Sequence, residues 1–196
     1  TPTLDAAEIR ERGDEIIAHG HTNAERQGDL SEADERSLIA ACTERMRREE
    51  GSPPHGWLSP WISESHVTPD LLQEAGYTYV LNWCHDDQPT RLATRRGHLW
   101  AIPYPQEIND IPALLALHQS PERFGQMIRD QFDVLYEDGA KTGRVMSICL
   151  HPFIIGHPHR SKYFDQALAH IRSRQEVWVT TGGEIVDYYK KNYLKP

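Results

Sequence analysis

The sequence lacks any apolar run of the roughly 18 residues that a membrane helix needs, and no basic stretch leads into an apolar one. Neither a membrane span nor a signal peptide is expected. Cysteine is scarce, with only Cys42, Cys84 and Cys149 and no C-x-x-C spacing. An odd, scattered set excludes a disulfide framework and a zinc knuckle, and fits reduced packing thiols in a cytoplasmic protein. Positive charge is also short: 21 Lys and Arg face 29 Asp and Glu, for a net charge of -8. A polyanion is held by clustered cations that replace its counterions, so nucleic acid is excluded as a partner. There is no internal repeat, linker or low-complexity segment. The 196 residues suffice for one hydrophobic core, so a single domain spanning 1–196 is expected. The chain opens on Thr1-Pro2-Thr3-Leu4-Asp5, without Met and directly in a helical pattern, which reads as a chain cut at its N-terminus.

What is present is an alternation of helices and strands. Helical character over 4–12 is stopped by Gly13, and 15–18 reads as a short buried strand. Ser31 is placed to cap a long helix reaching about Glu50, with acids in its first turn and Gly51-Ser52-Pro53-Pro54 to end it. Thr68-Pro69-Asp70 starts a helix running to Gly76, and 77–81 is rich in strand formers. A strand over 98–102 closes at Pro103. Helices are expected over 111–117 and 121–137, and 144–150 reads as a strand buried on both faces. A helix over 163–174, a short strand at 177–179 and a last helix from Gly182-Gly183-Glu184 complete the order. Such alternation predicts an α/β fold with a mostly parallel sheet, as an open sheet or a barrel.

Polar groups collect just after the strands: His19 after Ala18, Asp86 and Asp87 after Trp83, Tyr104 and Glu107 after Ile102, and His151 after Leu150. The C-terminal rim of parallel strands is where α/β proteins bind ligands. Four strand ends bearing such groups point to a site.

These segments are His19-Gly20-His21-Thr22-Asn23, Gly56-Trp57-Leu58-Ser59-Pro60-Trp61, Asn82-Trp83-Cys84-His85-Asp86-Asp87-Gln88-Pro89, Ile102-Pro103-Tyr104 with Glu107-Ile108-Asn109-Asp110, and Leu150-His151-Pro152 with Ile155-Gly156-His157-Pro158. In their order the chain resembles the polysaccharide-deacetylase (NodB-homology) family over nearly its whole length. The nearest branch is that of peptidoglycan-deacetylase-like proteins and metal-independent allantoinases. The resemblance implies a distorted (β/α) barrel, here lacking its first N-terminal elements, and a hydrolase of C–N bonds other than peptide bonds. It implies deacetylation of an N-acetylated carbohydrate, with a small-molecule or oligosaccharide substrate. The family's Asp-Asp motif, which supplies a general base and a metal ligand, precedes this chain's first residue, so neither role is assigned here.

By resemblance, His151 is the acid that protonates the leaving nitrogen, a task suited to imidazole because it gains and loses a proton near neutrality. Asp86 or Asp87 is expected to orient it, or else to make a turn before Gln88-Pro89. His19 matches the first of two metal-ligating histidines, while Asn23 stands where the second belongs and offers a weaker amide oxygen. Either a divalent ion such as zinc binds at His19 and Asn23, or the two hydrogen-bond substrate or water. Trp57 and Trp61, with Trp83 adding to them, are candidates for an apolar wall against a sugar face or else plain core residues, Trp61 favoured as the groove residue by the family pattern. The arginine common in that motif is absent from 56–61. Tyr104, Glu107 and Asn109 fall in a substrate-side loop, where Asn109 and Asp110 are equally good helix caps. Arg160 is positioned to meet an anionic group. Two other readings stay open: a metal-independent cyclic amidase like allantoinase, favoured by Asn23, and a carbohydrate-binding module without catalysis. Unpaired strand edges also favour a homo-oligomer.

Overall fold

A computed structural model describes residues 6–193, so the expectations for Thr1 to Asp5 lie outside the described residues. The chain divides into two compact units. The first takes the chain up to Trp83, then Pro89–Ile102, and again from Thr180 onward; the second takes Cys84–Gln88 and Pro103–Val179.

The first unit is a small sheet covered by helices. Helix α1 (Ala6–Glu11) ends before Gly13, whose φ of 76° is the left-handed conformation glycine tolerates best. Helix α2 (Glu32–Glu50) starts where Ser31 accepts a hydrogen bond from the Asp34 amide and stops at left-handed Gly51. Strand β1 (Gly56–Trp57), helix α3 (Thr68–Glu74) and strands β2 (Tyr79–Val80), β3 (Thr90–Thr94) and β4 (Gly97–Ala101) follow. The sheet order is β1-β2-β4-β3, with β1, β2 and β4 parallel and β3 antiparallel to β4. Ala18 extends the row by an isolated parallel bridge to Trp57. Ala18, Trp57, Val80 and Ala101 thus lie in register across the sheet. The residues after them leave from one rim, which delivers His19, the 58–64 segment and Asn82-Trp83 to a common edge.

Leu38, Ile39 and Cys42 of α2 and Leu71 and Leu72 of α3 pack with Trp57, Val80 and Leu99 in one core. Helix α7 (Gly182–Tyr193) closes this unit. The Tyr79 ring sits against both Gly56 and Gly182, and a Cβ at either would collide with it. The Gly183 amide donates to Glu15 Oε2 at 2.9 Å.

The second unit is helical. A π-helix over Ile111–Ala116 precedes α4 (Pro121–Gly139), α5 (Pro152–Ile155) and α6 (Pro158–Arg172). The buried face of α4 carries Phe124, Ile128, Phe132 and Leu135, the three-to-four spacing of a helix stripe. Gly125 lets α4 approach α6 closely, since a Cβ there would lie 2.9 Å from the Tyr163 carbonyl oxygen. Phe124 and Ile128 join Ile108, Leu114, Ile154 and Ala167 in this unit's core.

Three expected strands differ. The 15–18 segment pairs only at Ala18, and 144–150 only at Cys149, bridged in parallel to Asn109. Most of 144–150 is half-buried, not covered on both faces. The 177–179 segment forms no strand, and Val179 is 80% exposed. Apolar β-branched composition favours a strand, but a strand exists only where another backbone completes its ladder. Conversely, β3 was not expected from sequence, because its outward Arg91 and Ala93 and inward Thr90, Leu92 and Thr94 alternate too weakly in hydropathy. Fold and topology are those of a mixed α/β protein with a parallel sheet. Among the described residues no helix is long and apolar enough to cross a membrane.

Candidate active site

In the second unit the backbone brings a buried acid to a half-buried histidine. The Cys149 amide donates to the Ile108 carbonyl and the Asp110 amide to the Cys149 carbonyl, which sets residues 108–110 beside 149–151. Asp110 is 0% exposed. Its Oδ2 accepts from the His151 backbone amide at 2.8 Å, and its Oδ1 lies 2.6 Å from His151 Nδ1. A carboxylate only accepts, so the proton of this bond belongs to Nδ1 and Nε2 is left to take or deliver one. The acid therefore fixes both the main chain and the ring. The exposed Phe153 ring stands at 66° to the imidazole with centroids 5.8 Å apart.

The carboxylate on His151 is Asp110, not Asp86 or Asp87. Asp86 Oδ1 instead accepts from the Asp87 amide at 2.7 Å, and the Asp87 carbonyl from the Val145 amide, which is turn chemistry. Sequence left Asn109 and Asp110 both open as caps of the next helix. Asn109 Oδ1 accepts from the Ile111 amide at 3.0 Å, whereas Asp110, at the N-cap position, makes no side-chain cap bond and turns to His151 instead. Phe153 carried no sequence signal beyond its position in the loop after the histidine.

Tyr104 is half-buried against Cys149. Burial pushes the Cys149 thiol up to about 12 and raises the Tyr104 phenol well above its ordinary value. Glu107 is exposed. Arg160 donates from a terminal nitrogen to the Ile154 carbonyl at 3.0 Å, which occupies part of its fork.

In the first unit His19 Nδ1 lies 2.5 Å from the Leu58 carbonyl, so it donates there and leaves Nε2 outward. Asn23 is exposed, and its backbone carbonyl accepts from the Trp61 indole at 2.6 Å. One imidazole and one neutral amide do not by themselves make a cage for a divalent ion. Among the described residues, no group of three or more His, Cys, Asp and Glu side chains is arranged to hold a metal. Trp61 is 63% exposed, whereas Trp57 is 0% exposed. Trp57 is therefore core and not a ligand wall: its indole donates to Gln27 Oε1 at 3.1 Å and Ser59 Oγ at 2.9 Å. Cys84, expected as a packing thiol, is exposed, while Cys42 and Cys149 are buried.

No family model matches the chain. A peptidoglycan deacetylase of Helicobacter pylori is 25% identical over 95% of this chain and 74% of its own length. Among solved structures, the Puue allantoinase superposes with a TM-score of 0.87 at 26% identity. A protein of Pseudomonas aeruginosa PAO1 named as a probable polysaccharide deacetylase does so with a TM-score of 0.83 at 28% identity. Each match covers 95% of this chain but only 62% of the solved one, so the chain spans less than two thirds of either. On sequence and on fold, this chain is similar to peptidoglycan and polysaccharide deacetylases and to an allantoinase.

Proposed function

We propose that this chain supplies the general acid, His151, of a hydrolase acting on C–N bonds other than peptide bonds, its substrate an N-acetylated carbohydrate. The observation that carries the reading is the buried Asp110 carboxylate on His151 Nδ1. Water gives up a proton to a general base as it adds to the amide carbonyl, the tetrahedral intermediate collapses by breaking its C–N bond, and the departing nitrogen needs a proton. His151 delivers it from Nε2. Asp110 stabilises the imidazolium before that step and holds the tautomer after it, which makes Asp110 a positioning residue. The deacetylase relatives favour an acetylated sugar as substrate. No step is routed through a metal, because His19 and Asn23 do not by themselves suit one.

The test follows acetate release from a β-1,4-linked N-acetylglucosamine tetramer. His151→Ala lowers kcat by about 10²–10⁴-fold, as expected for loss of a general acid, with substrate binding retained. Unchanged kcat overturns the assignment. The likeness to an allantoinase favours a second reading, hydrolysis of a cyclic amide with the same acid. Turnover of allantoin in place of the tetramer, surviving strong chelation, selects it. Ligand binding that His151→Ala leaves unchanged, with no turnover of either compound by the full-length protein, selects a purely binding role.

A further inference from the structure

In the first unit a group of nitrogen-bearing side chains meets at the end of β4 opposite the rim. Arg91 and Ala93 on β3 stand in register with Trp100 and His98 on β4, so the four side chains share one face of the hairpin. Leu92, Leu99 and Ala101 take the other face and enter the core. Helix α7 lies over the first face, with the Tyr189 ring 5.4 Å from that of Trp100. His98 precedes Ala101 by three residues, so about 10 Å of strand separates it from the rim. The corner is therefore distinct from the edge to which β1, β2 and β4 deliver their polar groups.

What this corner offers is donors. Arg91 holds a terminal nitrogen 3.4 Å from His98 Nδ1. A guanidinium cannot accept, so Nδ1 accepts and the proton of the neutral ring sits on Nε2 as a further donor. Trp100 is 2% exposed, yet its indole N–H has no hydrogen-bond partner among the described residues, against the rule that buried donors are paired. The indole stands nearly perpendicular to the His98 ring with centroids 5.7 Å apart, which places the orphan donor in the same corner. Lys190 of α7 adds an ammonium. Burial first, then the charges of Arg91 and Lys190, push the His98 imidazole below its ordinary value, and no acid opposes them. Among the described residues neither Arg91 nor Lys190 is in an ion pair. In a chain of net charge -8 this is a local excess of positive charge without its counter-charge. Donors without an acceptor suit an anion. Two cations attract a dianion about twice as strongly as a monoanion, which favours phosphate over carboxylate.

We infer that Arg91, His98, Trp100 and Lys190 form a binding site for one phosphate group, free or as the monoester of a small molecule. Arg91 and Lys190 supply the charge, and the imidazole and indole N–H groups supply directed hydrogen bonds. The site is independent of the hydrolase reading, in which none of these residues takes part. The experiment titrates the full chain with inorganic phosphate and with phenyl phosphate by calorimetry, the ionic strength held constant with chloride. Arg91→Gln changes an exposed side chain and Lys190→Gln a half-buried one, and circular dichroism checks that both variants fold. Each raises Kd about tenfold. Trp100→Phe assigns the Trp100 indole N–H resonance by removing it, and in wild type that resonance moves as phosphate is added. Tighter binding of phenyl phosphate identifies a monoester as the ligand; equal or weaker binding identifies the free ion. Absence of saturable binding of either compound by about 10 mM overturns the site. Equal binding by wild type and both charge variants also overturns it and leaves an adventitious ion only, as does an indole resonance that stays still at saturation.

Discussion

Each unit buries one carboxylate completely, and the two solve the same physical problem differently. Glu35 and Asp110 are both 0% exposed. Glu35 is surrounded by neutral donors: Gln27 Nε2 at 2.8 Å, Ser65 Oγ at 2.6 Å and the Thr68 hydroxyl. Gln27 passes the network on to Trp57 and Ser59. None of these partners changes charge near neutral pH, so the network stays satisfied and acts as framework. Asp110 has one main-chain partner, the His151 amide, and one side-chain partner, the His151 ring. A buried acid held by fixed donors fixes structure; a buried acid held by an imidazole aims a ring whose other nitrogen can exchange protons.

The largest effect expected from breaking this contrast is in the second unit. Asp110→Asn places an amide against Nδ1 and loses both the fixed tautomer and the stabilised imidazolium, so kcat falls about 10³-fold or more while the unfolding midpoint moves little. A large loss of stability with kcat retained in the folded fraction makes Asp110 a framework residue like Glu35. Next comes Glu35→Ala, which strands several buried donors and lowers stability by about 3 kcal/mol in denaturant unfolding. A change under half that size shows the network to be dispensable.

A smaller effect comes from the thiols, which report on each core separately. Burial pushes Cys42 up to about 11 and Cys149 up to about 12. Both should resist alkylation near neutral pH on the order of 10² more than a thiol of ordinary pKa, whereas exposed Cys84 should react first. Labelling of Cys42 faster than that of Cys149 by well over the roughly tenfold that their thiol values alone imply identifies the first unit as the one that opens more readily. The smallest effect lies on the surface, where Arg36, then Arg95 and Arg96, hold the Glu74 carboxyl below its ordinary value. An acid with a lowered folded value stabilises above its unfolded value and loses that contribution as pH falls through the folded one. Arg36→Ala should therefore weaken the protein slightly at neutral pH, not at strongly acid pH, and the difference should vanish in high salt. Measured melting curves at two salt concentrations decide it.

Local signals were the legible ones. Ser31 and Gly51 announced both ends of α2. The failures were partnerships across the chain. Asp110 and His151 meet because residues 108 and 149 pair, which no spacing within either segment encodes. Trp57 and Trp61 stand four positions apart with the same chemistry, yet one is sealed by Gln27 and Ser59 and the other is turned out by a left-handed backbone.

The phenol of Tyr79, caught between Gly56 and Gly182, has a consequence for synthesis. The first unit is sealed by residues that leave the ribosome only after the whole of Pro103–Val179 has been made. The Glu15 to Gly183 bond closes a loop of almost the full chain, and such closure is slow because its entropy is spent before any contact rewards it. The second unit, contiguous apart from Cys84–Gln88, can finish first. A nascent chain halted before Gly182 should present the Tyr79 face uncovered and should be cut by protease there, while α4 and α6 already resist.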